Sequence, residues 1–359
     1  MEIIGNLHWY TWVLILFCLV CAGLTAKYWS LPNGQEARGL KTAALLAGSL
    51  AVLMGAFNSS GMWESRDKKE TMNLIRIYGM TYDRSGSGIM VATHEGIKWW
   101  RDNRWQSEEG ERHDFVAFAP YEGGFYASGL PGPGSKLPNP LGLVKSADAG
   151  KTVELLTLEG KINFHFLAST MRSPAVVYGY HETYGAQPLR QPGLYYTADE
   201  GESWVRAAMK GFEGEPTGLA VHPDRPEQVA LGARDGLFLS RDKGETFVKV
   251  LPGLGISSLS YDPDGMITAG IFKDKPSLLQ LDSTGKQTAE IPLPELKEDA
   301  VAHTSHNPAR PEEWAISTYE HDMYLTSDGG ATWYQLAAGG KTKPAPELAP
   351  AAGQKQEDQ

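Results

Sequence analysis

Short polar segments that carry imidazole, carboxylate, phenol or cationic groups recur through the central and C-terminal parts of this sequence. Side chains of these types, once brought together, can transfer protons, hold a sugar through hydrogen bonds or bind a cation. The segments are separated by runs of alternating apolar residues, so only a folded chain can bring them to one place. The residues singled out as a candidate binding face are His94, Glu95, His181, Glu182, Tyr184, Arg234, Asp235, Lys273, Tyr319, Glu320 and His321.

Two interpretations of these polar segments are open. His94, His181 and His321 occupy matching places in different parts of the chain, and imidazoles from separate elements are what many metal sites are built from. Loops between strands are also polar in most proteins simply because they face water. Spacing along the chain does not decide between these interpretations, so no metal ligand and no cofactor is predicted.

An eight-residue turn that occurs four times indicates the elements that must position these residues. Each copy, called an octet below, has a hydroxyl residue first, Asp third, Gly fifth and Ser or Thr seventh, and usually ends on an aromatic. The Asp carboxylate can accept hydrogen bonds from the turn, and Gly adopts a positive φ without strain. The Asp and Gly residues of these predicted structural turns are Asp148, Gly150, Asp199, Gly201, Asp242, Gly244, Asp328 and Gly330.

The segments between the octets have the pattern of short strands. Alternating apolar residues at 217–221, 228–231, 236–240 and 246–250 predict four strands, A to D, with the octet as the C–D turn. Weaker copies of the C–D segment surround Asp102 and Asp282, and the repeat spacing is roughly 41 to 51 residues. The 40 glycines suit many tight turns. The sequence therefore predicts an all-β fold, a six-bladed antiparallel β-propeller over residues 74–337, with four strands of its own in the last blade.

The candidate face follows from this strand order. In an up-and-down blade the A–B and C–D turns lie at one end and the B–C loops at the other. The octets are C–D turns, so the candidate residues belong to B–C loops at the opposite end. Blade two has a longer B–C loop at 129–140, rich in Gly and Pro, which is interpreted as a lid over part of that face.

The N-terminal 63 residues predict a two-helix transmembrane hairpin, with apolar runs at about 7–26 and 42–60. The short loop between the runs holds Lys27, Arg38 and Lys41 against Glu36 alone, so the positive-inside rule makes this loop cytoplasmic. The propeller is then extracytoplasmic on a cell membrane, following a linker at 64–73 and preceding a disordered tail at 338–359. The net charge of −10 excludes the basic surface that a nucleic-acid partner requires.

The octets resemble the bacterial neuraminidase repeat, also called BNR repeat or Asp-box. This repeat occurs in six-bladed sialidases, in sortilin-type receptors and in the photosystem II assembly factor of plants, and the span from Ile75 to Leu336 resembles bacterial BNR-repeat glycosyl hydrolase-like proteins. The resemblance implies that the octet Asp residues are structural and remote from any active site. It also implies a sialidase Arg-Ile-Pro motif, for which the nearest segment, Arg76-Ile77-Tyr78, lacks the proline.

The combined prediction is a membrane-anchored propeller of a bacterial cell envelope that binds a glycan or a protein partner through its B–C face. A scaffold role for the membrane hairpin and a glycoside hydrolase that uses carboxylates of that face are the alternatives. A sialidase needs clustered arginines for its substrate carboxylate and a Tyr beside a carboxylate. Glu182 with Tyr184 matches that pair only in composition. The arginines expected near the B–C face are Arg76, Arg112, Arg190 and Arg234.

Overall fold

The computed structural model describes residues 71–107, 110–172, 176–185 and 187–344. The two predicted membrane spans, most of the predicted linker and the chain after residue 344 lie outside these residues. Within the described ranges, no helix has the length and hydropathy needed to cross a membrane.

The described chain forms six antiparallel sheets, called blades one to six, and in each the strands pair in the order of the sequence. The predicted six-bladed propeller is confirmed. The first three blades contain β1 (Ile77–Tyr82), β2 (Gly88–Thr93), β3 (Gly96–Arg101) and β4 (Arg104–Ser107); β5 (Asp114–Tyr121), β6 (Gly124–Leu130), β7 (Leu143–Ser146) and β8 (Glu154–Thr157); and β9 (Phe166–Ser169), β10 (Val177–His181), β11 (Gly193–Thr197) and β12 (Val205–Arg206).

Blades four to six follow the same plan, and the last has one additional strand. They contain β13 (Pro216–Val221), β14 (Val229–Ala233), β15 (Gly236–Ser240) and β16 (Val248–Lys249); β17 (Gly255–Tyr261), β18 (Ile267–Phe272), β19 (Pro276–Leu281) and β20 (Gln287–Ile291); and β21 (Val301–His306), β22 (Trp314–Thr318), β23 (Met323–Thr326), β24 (Tyr334–Ala338) and β25 (Lys341–Thr342).

The first strand of every blade, strand A, lies innermost. Each strand A contacts the strand A of both neighbouring blades, and β21 contacts β1, so the ring is closed. Together they surround a central channel of about 590 Å³. One end of this channel, where strand A passes into strand B, is called the A–B end. The other, bordered by the B–C loops, is called the B–C end.

The apolar core is divided among the joints between neighbouring blades. Trp99 of blade one packs with Phe115 and Phe125 of blade two, and Phe164, which precedes blade three, packs with Tyr126 of blade two. This arrangement follows from alternation, because every strand turns one set of side chains toward each neighbouring blade. Each blade therefore buries its apolar side chains against its two neighbours.

The octets form the hydrogen-bonded turns that the sequence predicts. In blade four, one oxygen of Asp242 accepts hydrogen bonds from the Ser240 hydroxyl (2.8 Å) and the Thr246 amide (2.9 Å), and the other accepts from the Thr246 hydroxyl (2.6 Å). The Gly244 amide donates to the Ser240 hydroxyl at 2.9 Å. The same contacts recur around Asp148, Asp199 and Asp328.

Each octet glycine also meets the preceding blade. Gly244 has φ +86° and Gly330 has φ +92°. A Cβ on Gly244 would lie 2.7 Å from Leu194 Cδ2, and a Cβ on Gly330 would lie 2.6 Å from the Pro292 carbonyl oxygen. The octet is therefore a joint between blades as well as a turn, which explains why its fifth position is glycine.

We expect the stability that Asp199 contributes to be lost in acid. Its pKa is lowered to about 2, because the Ser203 and Thr197 hydroxyls and the Ser203 amide donate hydrogen bonds to the carboxylate. In an unfolded chain the group titrates at about 3.9, so the contribution is complete above about pH 4 and disappears as the pH falls toward about 2. Urea denaturation of wild type and Asp199→Asn across this range tests the expectation, and equal pH slopes would contradict it.

Ring closure differs from the expectation that blade six needs only its own four strands. The strand β25 lies beyond the predicted boundary at residue 337 and pairs with β24. The segment before β1 pairs with β25 in turn: the Leu74 amide donates to the Gly340 carbonyl (2.6 Å), and the Thr342 amide donates to the Met72 carbonyl (3.0 Å). The two ends of the propeller are therefore joined by backbone hydrogen bonds. This pairing also covers the edge of the last sheet, whose backbone groups would otherwise be unpaired.

Candidate functional site

A recurring β-bulge shapes the B–C end of the channel. Near its start, strand A of five of the six blades in the described chain has an irregularity in its pairing with strand B. A bulge inserts one extra residue and changes the direction of its side chain. The residues inside these bulges, all half-buried around the B–C end of the channel, include Tyr78, Val116, Thr217, Ser257 and Ala302.

The channel wall at this end is asymmetric. Blades one to three contribute Tyr78, Val116, His165 and Phe166, with the His165 and Phe166 rings 4.5 Å apart in an edge-to-face contact. Blades four to six contribute small or polar side chains, among them Thr217, Ala302 and His303. One wall can therefore pack against apolar groups while the opposite wall offers hydrogen bonds.

The carbonyl groups at the bulges are bonded by side chains of other blades or loops. The Thr217 hydroxyl donates to the Ile256 carbonyl at 2.7 Å, and the Tyr319 phenol donates to the Ser257 carbonyl at 2.7 Å. His303 Nε2 bonds the Ile77 carbonyl at 3.0 Å. Burial lowers the pKa of His303 to about 4, so its imidazole is neutral near pH 7 and donates this bond.

A compact polar group lies between blades one and two. The Nδ1 atom of His94 is 2.8 Å from Asp114 Oδ2, and the His94 amide donates to the Arg76 carbonyl at 3.3 Å. Arg76 itself has a φ of +60°. Burial and the Asp114 charge raise the pKa of Tyr78, whereas the nearby Arg76 guanidinium lowers it. The net shift is upward, so the Tyr78 phenol keeps its proton at neutral pH.

Of the three residues of blade three that were predicted to lie on the binding face, one is in the core and two are on the surface. His181 is buried, its ring stacks on Tyr195 with centroids 5.3 Å apart, and its Nδ1 lies 2.8 Å from the Thr183 carbonyl oxygen. Burial lowers the pKa of His181. It is a neutral core residue and does not belong to the exposed face. Glu182 is half-exposed, 3.9 Å from His165 Nε2, and Tyr184 is 84% exposed.

The remaining predicted residues occupy the B–C loops of blades one and four to six. Glu95, Arg234, Lys273 and Glu320 are exposed. Asp235 pairs with Lys249 Nζ at 2.7 Å. His321 has φ +64°, and its carbonyl accepts from the Gly340 amide at 2.9 Å, which links it to ring closure. In the described part of the chain, no group of three or more His, Cys, Asp or Glu side chains is placed to hold a metal ion.

The B–C loop of blade two lies beside its own strand A. A Cβ on Gly129 would lie 1.8 Å from the Asp114 carbonyl oxygen, and one on Gly132 would lie 1.8 Å from that of Arg112. The Gly132 amide also donates to His113 Nδ1 at 3.1 Å. No residue of this loop lines the channel formed by the described residues. The loop is held against the segment before β5, so the predicted lid position over the channel is not observed.

The arginines do not gather at the B–C end of the channel. Arg76, Arg112, Arg190 and Arg234 are absent from the channel wall formed by the described residues. The arginines that do line it lie at the A–B end and pair across neighbouring blades: Arg84 with Glu122 (3.5 Å) and Arg172 with Asp224 (2.7 Å).

Exposed apolar side chains concentrate at the B–C end. Seven large apolar residues of the described chain are exposed. Two of them, Val205 and Val248, lie on the outermost strands β12 and β16. The other five precede strand A, end strand B or lie in a B–C loop, and they are Ile75, Leu130, Tyr184, Phe272 and Tyr319.

Sequence patterns identified only part of this site. Tyr184 and Tyr319 were predicted because they lie in polar loops, whereas Ile75, Leu130, Phe272 and Tyr78 have the pattern of ordinary strand residues. One sequence feature indicates the bulges: Tyr78 and Thr217 each precede a glycine near the start of strand A, and a glycine within a strand often marks a bulge. Nothing in the alternation distinguishes a strand-end Phe that faces solvent from one that faces the core.

No protein-family model and no curated protein matches this chain. The chain is similar in fold to solved propeller structures. With the GH74 xyloglucanase from Xanthomonas campestris it shares 16% identity at a TM-score of 0.47, over 75% of this chain and 47% of that one. With a structure described as YCF48 bound to D1 peptide it shares 12% identity at a TM-score of 0.45, over 74% of this chain and 84% of that one. With a GH74 enzyme from Niastella koreensis it shares 14% identity at a TM-score of 0.48, over 75% of this chain and 47% of that one.

The chain thus spans about half the length of the two GH74 enzymes. The similar structures include both glycoside hydrolases and a propeller that binds a peptide. At these identities the likeness is one of fold alone.

Proposed function

We propose that this chain is a binding or assembly module whose B–C face docks a protein partner. The observation that carries the proposal is the position of the exposed apolar residues, five of seven at one end of the propeller among the described residues. Soluble proteins seldom expose large groups of apolar side chains, and such a group surrounded by polar residues commonly marks an interaction surface. Aromatic residues are also the side chains most enriched at the centre of protein interfaces.

A protein partner fits this face better than a glycan. Ile75 and Leu130 offer aliphatic surface, which packs against other apolar side chains but provides no flat ring for a sugar. The Tyr319 phenol, a natural sugar hydrogen-bond donor, is already bonded to the Ser257 carbonyl. The open channel mouth beside Tyr78 and Phe166 can receive a side chain or a chain end from the docked partner.

Site-specific photo-crosslinking tests the docking face. Benzoylphenylalanine at position 184 and at position 272 of the full chain should crosslink to the same protein. Benzoylphenylalanine in place of Val248 should not crosslink to that protein. Val248 is a matched control because it is 67% exposed on the outer edge of blade four. The captured protein is then purified and its affinity measured.

We expect Phe272→Ser and Tyr184→Ser to weaken that binding by roughly tenfold or more each, since a buried aromatic anchor commonly contributes over about 1.4 kcal/mol. Val248→Ser should leave the affinity unchanged. Equal capture from all three positions, or unaltered affinity in the two rim variants, would exclude the docking face. If purified glycans bind the full chain and this binding is lost in Phe272→Ser and Tyr184→Ser, the ligand of the B–C face is a sugar and not a protein.

We also propose that the propeller lies outside the cytoplasm. Apolar runs of spanning length precede the described residues, and positive charge lies in the short loop between them. These features support an extracytoplasmic propeller anchored in a cell membrane. Protease treatment of intact cells tests it: the propeller should be digested along with a known surface protein.

A glycoside hydrolase is the second candidate because Asp114, Tyr78 and Arg76 lie together beside the channel. A sialidase would need several arginines at that end, and only Arg76 belongs to this group. We therefore expect no turnover of a fluorogenic sialoside by the purified propeller. Robust turnover that is lost in Arg76→Ala would establish the hydrolase instead.

A further inference from the structure

A half-buried histidine and a buried aspartate face each other across the joint between blades five and six, at the A–B end of the channel. His306 ends β21, and Asp262 follows β17. His306 Nδ1 lies 3.8 Å from Asp262 Oδ2, and their side chains are 10% and 2% exposed. Both residues line the channel. This pair lies at the opposite end from the proposed docking face, so its chemistry does not depend on that function.

The surroundings of His306 determine which of its nitrogens carries hydrogen. Nε2 is 2.7 Å from the Pro311 carbonyl oxygen, which can only accept, so Nε2 must donate. In a neutral imidazole Nδ1 is then a bare acceptor. It is buried and has no hydrogen-bond partner. The Asp262 oxygen that faces it is also an acceptor when ionised.

One additional proton resolves this conflict. It would lie between Nδ1 and Oδ2 and would convert two opposed acceptors into a donor and an acceptor. The ring of Trp314 is stacked on the imidazole at 4.1 Å and 11°, and an aromatic face stabilises a cation. Oxygen atoms thus face both nitrogens and an indole covers the ring, which is an environment suited to an imidazolium.

Two side-chain hydrogen bonds fix the orientation of the Asp262 carboxylate. The Thr268 hydroxyl and the Gln280 amide donate to it at 2.9 and 3.2 Å. Burial raises the pKa of Asp262, against the opposing effect of His306.

Other charged or titratable groups lie near the pair. Arg310 pairs with Glu313 at 2.7 Å, and His222 Nδ1 accepts from the Asp224 amide at 3.1 Å. Asp264 lies in the same turn as Asp262 and adds to the upward shift of its pKa. Burial raises the pKa of the neighbouring Tyr261, against the opposing charges of Arg225 and Arg241.

We propose that Asp262 and His306 form a proton-binding site that tightens the joint between blades five and six when the pair takes up one proton. The same two inner strands already share a hydrogen bond between the hydroxyls of Ser260 and Thr304 at 2.8 Å. A second bond at the end of these strands narrows the channel at its A–B end. Loss of the proton leaves two acceptors opposed and lets the strands separate there.

The fluorescence of Trp314 reports this proton, because an imidazolium stacked on an indole quenches it. The sequence contains ten tryptophans, so the signal is the difference between the full chain and its Trp314→Phe variant. We expect one single-proton transition in this difference signal as the pH is lowered. It should vanish in His306→Gln and move to a lower pH in Asp262→Asn, because the carboxylate that would pair with the imidazolium is lost.

His222→Gln is the matched control, since His222 is buried near strand ends and its Nδ1 is already satisfied by a backbone amide. It should keep the transition. A transition that persists in His306→Gln would overturn the proposal. Crystal structures on both sides of the midpoint give a second readout that does not depend on fluorescence: the Nδ1–Oδ2 distance should shorten from 3.8 Å to about 2.8 Å in the acid form. An unchanged distance would also overturn it.

Discussion

Leu74→Ala should lower the free energy of unfolding by about 3 kcal/mol, the usual loss when a fully buried leucine is cut back to alanine. Leu74 is 0% exposed and belongs to the core cluster between blades six and one, together with Leu336 and Ala337 of β24. The joint between these blades is the place where the two ends of the propeller meet. A cavity here should therefore weaken ring closure as well as local packing.

Urea denaturation of the full chain measures the loss, and limited proteolysis locates it. We expect new cleavage near residues 71–76 and near β25, since each segment holds the other through backbone hydrogen bonds. Ile75→Ala is the neighbouring control. Ile75 is 52% exposed, so its truncation should cost less than about 1 kcal/mol. A Leu74→Ala protein as stable as the Ile75→Ala protein would show that the N-terminal segment does not hold the ring together.

Gly330→Ala should destabilise the protein by a similar amount, about 3 kcal/mol, through two separate effects. The residue has φ +92°, which a Cβ disfavours. The new Cβ would also lie 2.6 Å from the Pro292 carbonyl oxygen at the end of blade five. That oxygen accepts a hydrogen bond from Trp333 Nε1 at 2.9 Å, so moving it disturbs a second contact between the blades.

Gly253→Ala separates the two effects. Gly253 has φ +76°, but a Cβ built there meets no atom within 4 Å. This variant should lose only the conformational part, about 1 kcal/mol. Equal losses in Gly253→Ala and Gly330→Ala, measured by the same denaturation curves, would mean that the octet glycine serves backbone conformation alone and does not join the blades.

The octets show why the blade count could be predicted from the sequence. In each full octet the Asp carboxylate bonds groups two residues before it and four residues after it, and the glycine amide bonds the hydroxyl four residues earlier. All of the required partners lie within eight residues. A pattern in the sequence therefore specifies this turn almost completely, and four copies of it predict repeated blades.

The candidate site was predicted less well, and His181 shows the reason. Its neighbours in the sequence are polar, and its place matches that of other loop residues. In the structure its ring is buried beside Tyr195 and Phe164. Whether a residue at a strand end faces solvent or the core depends on the direction in which the following loop leaves, and spacing does not encode that direction.

The sequence by itself determined the all-β class, the six repeats, the Asp and Gly roles in the turns and the end of each blade that carries the polar loops. These features rest on contacts within one blade, where partners are close in the chain. The tertiary structure alone decided the bulges that turn Tyr78 and Thr217 toward the channel, the closure through Leu74 and β25, and the pairing of Asp262 with His306. Each of these depends on residues brought together from different strands, some of them from different blades, and no pattern within one segment of the sequence encodes which strands meet.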